Sequence, residues 1–211
     1  MTGGKRPRTK NQILKNRNGF TLIEALVTLA IFSVLMISIT DIYIQNMRFA
    51  RQIIMRAKLQ GDARYALEAL TRAIRVSDID YASWGGTLPG QPQTELRLIN
   101  LRTGDTSRIK VDPSGGAATC YGDGNSCITV STDGGGTWAP LTPKNVKIDN
   151  LRFYTAPSKD PFNFNTTTGA YDSNGQPIVT ISAQFHGIAA RPADEWVYSL
   201  QTTVTPRLYL R

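Results

Sequence analysis

The sequence predicts an α+β protein, one long N-terminal helix packed on a C-terminal antiparallel β-sheet domain. Three observations carry this. Phe20–Thr40 reads FTLIEALVTLAIFSVLMISIT, an apolar run with a single charge, Glu24. No proline lies between Pro7 and Pro89, and the only glycine between Gly19 and Gly85 is Gly61, so nothing interrupts a helix. After Asp80 the composition turns to Gly, Pro, Thr, Ser and Asn, with apolar residues in short alternating groups that read as strands and turns.

The first element is a basic leader, residues 1–19, with Lys5, Arg6, Arg8, Lys10, Lys15 and Arg17 and no acid. Lys and Arg total 24 against 16 acidic residues, a net charge of +8; without the leader's six the balance is only +2. The basicity is therefore local and does not point to a nucleic-acid-binding protein. Residues 20–40 follow. As a helix they span roughly 32 Å at about 1.5 Å per residue, enough to cross a hydrocarbon core of about 30 Å. A secretory signal would have a shorter apolar region and a small-x-small cleavage site, whereas this run leads into TDIYIQNMRFARQ. By the positive-inside rule the leader stays cytoplasmic, and everything after Asp41 is exported.

Residues 41–80 read as an amphipathic continuation of the helix. Ile42, Phe49, Ile53, Leu59, Ala63, Ala66, Leu70 and Ile74 recur mostly at three- or four-residue steps as one core-facing stripe. Arg48, Arg51, Arg56, Lys58, Arg64, Glu68, Arg72 and Arg75 lie between them on a solvated face. The expected helix is roughly 55–60 residues long by this periodicity. Residues 81–211 form the β-rich exported domain, one antiparallel sheet with strands at 94–102, 107–111, 127–131, 146–156, 177–188 and 195–210. Turn signals at 102–105, 112–116, 132–136 and 172–175 separate them.

Several chemistries are excluded by composition. A single histidine, His186, removes most His-dependent catalytic and metal constellations, and it is expected to be a surface or half-buried residue near a strand end. No nucleophile–base pattern, P-loop or dinucleotide fingerprint is present. No catalytic residue, metal or cofactor is expected. Cys120 and Cys127 bracket the turn-rich CYGDGNSC, and outside the cytoplasm they are expected to form a disulfide closing this loop. Ser131–Trp138 matches the S-x-D-x-G-x-T-W Asp-box pattern, a hairpin device with Trp138 packed beneath. Asp123 with Asn125, and Asp172 with Asn174, superficially resemble calcium loops but lack the bidentate Glu of an EF-hand.

KNRNGFTLIEALVTLAIF (15–32) resembles the prepilin signal of type IV pilins and type II secretion pseudopilins. The resemblance implies a pilin-like fold and cleavage by prepilin peptidase between Gly19 and Phe20. It also implies methylation of the Phe20 amine, and pairing of that amine with the Glu24 carboxylate of a neighbouring subunit. A carboxylate inside a bilayer costs a few kcal/mol, so its presence implies a role. LQGDARYALEALTRAIRVSDI (59–79) and SLQTTVTPRL (199–208) are similar to minor pilins of the W type and minor pseudopilins of the J type. The asparagine that commonly follows the terminal Arg is replaced, since Leu208 follows Arg207.

The expected function is structural, a non-enzymatic minor subunit of a pilus or secretion pseudopilus. Its partners are the peptidase, the membrane, and other pilins or pseudopilins met through the N-terminal helix. No direct nucleic-acid contact is expected beyond a DNA-uptake role of the filament. The expected location is the inner membrane in a single pass, then an envelope or surface filament. The alternative is a membrane-anchored adhesion or DNA-capture protein that never assembles. A third class, a membrane-anchored glycan hydrolase suggested by the Asp box, lacks convergent carboxylates.

Overall fold

A computed structural model describes residues 19–100, 102–189 and 195–206 of the chain. The leader positions before Gly19, and Arg207 and Leu208 at the end of the last expected strand, lie outside the described residues. The chain divides into two compact units, residues 1–49 and 50–211.

The described part of the first unit is helical from Leu22 onward, the opening of α1 (Leu22–Val76, 55 residues). All its described side chains are exposed, including Leu22, Leu29, Ile37 and Phe49. An apolar helix with no cover of its own is stable in a bilayer, where backbone groups are satisfied within the helix.

The second unit contains the rest of α1 and all the strands. From α1 it buries Leu59, Ala63, Ala66, Leu67, Leu70 and Ile74, a single stripe at helical spacing. The expected stripe is thus correct from Leu59 onward and overextended before it. Ile42 is 60% exposed, Phe49 60% and Ile53 64%. Within the second unit the reason is helical phase: Ile53 stands six residues before Leu59, a step that leaves it roughly 120° around the helix from the buried stripe. At the covered end, Gly187 leaves room for Leu59. A Cβ added there would lie 3.2 Å from Leu59 Cδ2.

The strands fall into two sheets and a hairpin, all antiparallel. One sheet has the order β1 (Asp78–Ile79), β2 (Glu95–Ile99), β3 (Thr106–Asp112), β4 (Cys127–Ser131), β5 (Ala139–Pro140). The other has β10 (Trp196–Val204), β9 (Ile178–Gly187) and β6 (Val146–Ala156) in that order, and β7 (Phe164–Asn165) pairs with β8 (Ala170–Tyr171). The six longer strands lie where the alternation predicts them. The single expected sheet is the error, because period-two patterning says which face is buried but not which strand is the neighbour. The two sheets meet at β6. Gln93 bridges to Phe153, and the Ser126 hydroxyl donates to the Ile148 carbonyl (2.6 Å) and accepts from the Ile148 N–H (3.1 Å).

Both sheets turn one face inward. Leu96 and Leu98 of β2, Ile109 of β3 and Ile128 of β4 join Phe153 of β6 and Val179, Ile181 and Phe185 of β9, each at most 1% exposed. These residues and the α1 stripe form one hydrophobic cluster.

Candidate processing and assembly site

The residues at the start of α1 build the site. Thr21 is its N-cap: its hydroxyl oxygen accepts the Glu24 N–H at 3.3 Å, and its carbonyl accepts the Ala25 N–H at 3.1 Å. Thr21-x-x-Glu24 therefore has the spacing of a capping box. That signal was legible in the sequence, and the sequence reading missed it. Glu24 lies in the first turn, where the helix dipole favours a negative charge.

Every hydroxyl deeper in the apolar run satisfies itself on the helix. Thr28 donates to the Ala25 carbonyl (2.9 Å), Ser33 to Leu29 (2.8 Å), Ser38 to Val34 (3.0 Å) and Thr40 to Met36 (2.8 Å). Such back-bonding removes the penalty of placing hydroxyls in an apolar medium. It leaves the Glu24 carboxylate as the one charged group in the run. Phe20 is exposed and precedes the cap. Gly19 has no positive φ, and a Cβ added to it would meet nothing within 4 Å. No feature of the fold requires glycine there.

Residues 14–40 match the family model described as the prokaryotic N-terminal methylation motif. The chain is type IV prepilin-like. The match covers far less than half of the sequence, and comparison with curated proteins and with solved structures finds no match. Among the described residues α1 is the one helix long and apolar enough to cross a membrane, and with the prepilin-like N-terminus it suits a membrane-anchored, single-pass chain.

Elsewhere in the prepilin-like chain, Cys120 and Cys127 are joined in a disulfide with Cα atoms 6.0 Å apart. Asp112 braces the same loop. It accepts from the Ser114 hydroxyl (2.7 Å), the Ser114 N–H (2.9 Å) and the Thr119 hydroxyl, and these bonds hold its carboxyl below the usual range. The Asp box forms the β4–β5 hairpin. Asp133 accepts from the Thr137 hydroxyl (2.7 Å), the Ser131 hydroxyl (2.7 Å) and the Thr137 and Gly136 N–H groups, so its carboxyl is held far below its ordinary value. Gly135, at φ +110°, makes the turn possible, and its carbonyl accepts the Trp138 indole N–H at 3.1 Å. Trp138 is half-buried under the Lys110 ammonium, 4.2 Å from the ring centroid.

His186 is also half-buried. Its ring nitrogens lie 3.0 Å from Asp149 and 3.1 Å from Glu195. Asp149 reaches it because a β-bulge between Ile148 and Asn150 leaves that residue outside the β6–β9 register. Among the described residues no group of three or more His, Cys, Asp or Glu is arranged to hold a metal ion, and the two loops that resemble calcium sites are not among such groups. Asp78 was not singled out by the sequence. It is buried, accepts the Ile79 N–H at 2.8 Å and lies near Asp160, and burial pushes its carboxyl upward.

Proposed function

We propose that the chain is a prepilin cut between Gly19 and Phe20, methylated on the new amine, and assembled through α1 as a minor subunit of a type IV pilus or secretion pseudopilus. The carrying observation is the methylation motif laid over an apolar helix whose hydroxyls are all satisfied and whose one charge is Glu24. Gly19 supports the cleavage, since nothing inside the fold needs a glycine there and an outside peptidase would. The apolar side chains left exposed past the span, Phe49, Ile53 and Ile54 among them, support assembly, because outside the bilayer such a surface is covered by another subunit. In the assembled bundle the Phe20 amine and a neighbour's Glu24 neutralise each other. Desolvation offsets most of the attraction, so the pair sets axial register more than stability. The large β domain supports a minor subunit, and residues 59–79 and 199–208 resemble the W-type pilins and J-type pseudopilins. No step of this role is enzymatic.

The test is the N-terminus of assembled material. Mass spectrometry should find methylated Phe20 as the first residue, and an intact leader on assembled protein would overturn the reading. Glu24→Ala should leave membrane levels and cleavage unchanged while the variant fails to copurify with its filament partners. Glu24→Asp should recover part of that association.

A further inference from the structure

Beyond the leader, a second concentration of positive charge lies just past the apolar run. Arg48, Arg51, Arg56, Lys58, Arg64, Arg72 and Arg75 lie on α1 past Thr40 against Asp41, Asp62 and Glu68, whereas residues 77–211 hold 11 basic and 12 acidic side chains. Of these seven, Arg48 and Arg51 stand nearest the apolar run. They are three apart in the sequence. Both are exposed, and among the described residues neither has a carboxylate partner. Immediately before them stand Ile42, Tyr43, Ile44 and Met47, apolar or amphipathic and each more than 40% exposed.

We propose that Tyr43, Arg48 and Arg51 form a collar that binds the phosphates of anionic phospholipid headgroups in the leaflet at the C-terminal end of the span. The spacing suits this partner. Arg48 lies eight residues beyond Thr40, about 12 Å along the helix, and headgroups occupy about 5–7 Å outside the hydrocarbon. Helical side chains lean toward the helix N-terminus, here toward the bilayer, so a long arginine covers the difference. Tyr43, one turn nearer, falls at the depth where aromatic rings settle. Arginine forks match phosphate oxygens in geometry as well as charge. The collar holds the helix at one depth, and its contacts must be released before the helix could leave the bilayer. The inference rests on the membrane span and not on leader processing.

The experiment uses the full chain with Ile44→Cys carrying a polarity-sensitive fluorophore, the native cysteines being held in their disulfide. The chain is reconstituted in vesicles of phosphatidylcholine alone or with about 30% phosphatidylglycerol, a proportion chosen to mimic an anionic leaflet. The seated, blue-shifted population should rise with phosphatidylglycerol and fall again at high salt. Each arginine is worth about fivefold at an anionic surface, so Arg48→Gln with Arg51→Gln should lower the seated-to-unseated ratio roughly thirty-fold. Arg48→Lys with Arg51→Lys should retain most of the salt-dependent shift. Emission indifferent to lipid charge, or unchanged in the double Gln variant while the chain stays vesicle-bound, would overturn the collar. A chain that does not associate with vesicles would overturn the collar and the membrane span together, whereas a processing failure would touch neither.

Discussion

Leu70 and Ile53 are expected on one core-facing stripe, yet the structure gives them opposite surroundings. Leu70 is 1% exposed in the core between α1 and the sheets, and Ile53 is 64% exposed. Leu70→Ala removes three buried carbons and leaves a cavity that close-packed neighbours fill only in part, a loss of about 2–5 kcal/mol. For a domain of this size each kcal/mol moves the thermal midpoint by about 2–4 °C, so a drop of roughly 10 °C is expected. Ile53→Ala should change stability by less than about 0.5 kcal/mol, as an exposed site does. Instead it should weaken copurification with neighbouring subunits. Tryptophan fluorescence of the full chain in detergent reads the unfolding, because Trp84, Trp138 and Trp196 all lie in the second unit. Equal midpoint losses for the two variants would refute the assignment of Ile53 outside the core. No loss for Leu70→Ala would refute the helix-on-sheet packing itself.

Asp78→Asn should stabilise the domain at pH 7. Burial raises the folded-state value of this carboxyl above its ordinary one, so its charge is a penalty above the folded value that fades as pH falls through it; urea midpoints of variant and parent should converge toward about pH 4. Asp133→Ala should behave oppositely. The depressed carboxyl contributes stability above its ordinary value that is lost as pH falls below about 4, so the variant should be less stable at pH 7 and the gap should close in acid. Cys120 and Cys127 should resist alkylation until reductant is added, and replacing both by Ser should destabilise by roughly 2–3 kcal/mol, as the chain-entropy relation gives for so short a loop. Free thiols in protein isolated from an oxidising envelope would contradict the disulfide.

Local rules in the sequence determined where the helix and strands lie. Continuity without proline, and with Gly61 as its single glycine, carried α1 from Leu22 to Val76, and period-two alternation placed all six longer strands. The Gly19–Phe20 junction, Glu24 and the apolar run were legible for the same reason, since a linear motif is read by outside partners from an extended or helical segment. The Asp box also declared its hairpin, because Asp133, Gly135 and Thr137 close the turn on one another within a few residues. Tertiary structure alone decided the division into two sheets, which hangs on Ser126 meeting Ile148 and Gln93 meeting Phe153 across 22 and 60 residues. It decided which face is covered too: Ile53, six residues before Leu59, lies roughly 120° around the helix from the face that Leu59 and Leu70 share, and it stays exposed. It also brought His186 between Asp149 and Glu195 through a bulge that no local pattern announces, and buried Asp78 beside Asp160. Hydrophobic period states that a face must be covered; what covers it, and how far, depends on contacts between residues distant in the chain.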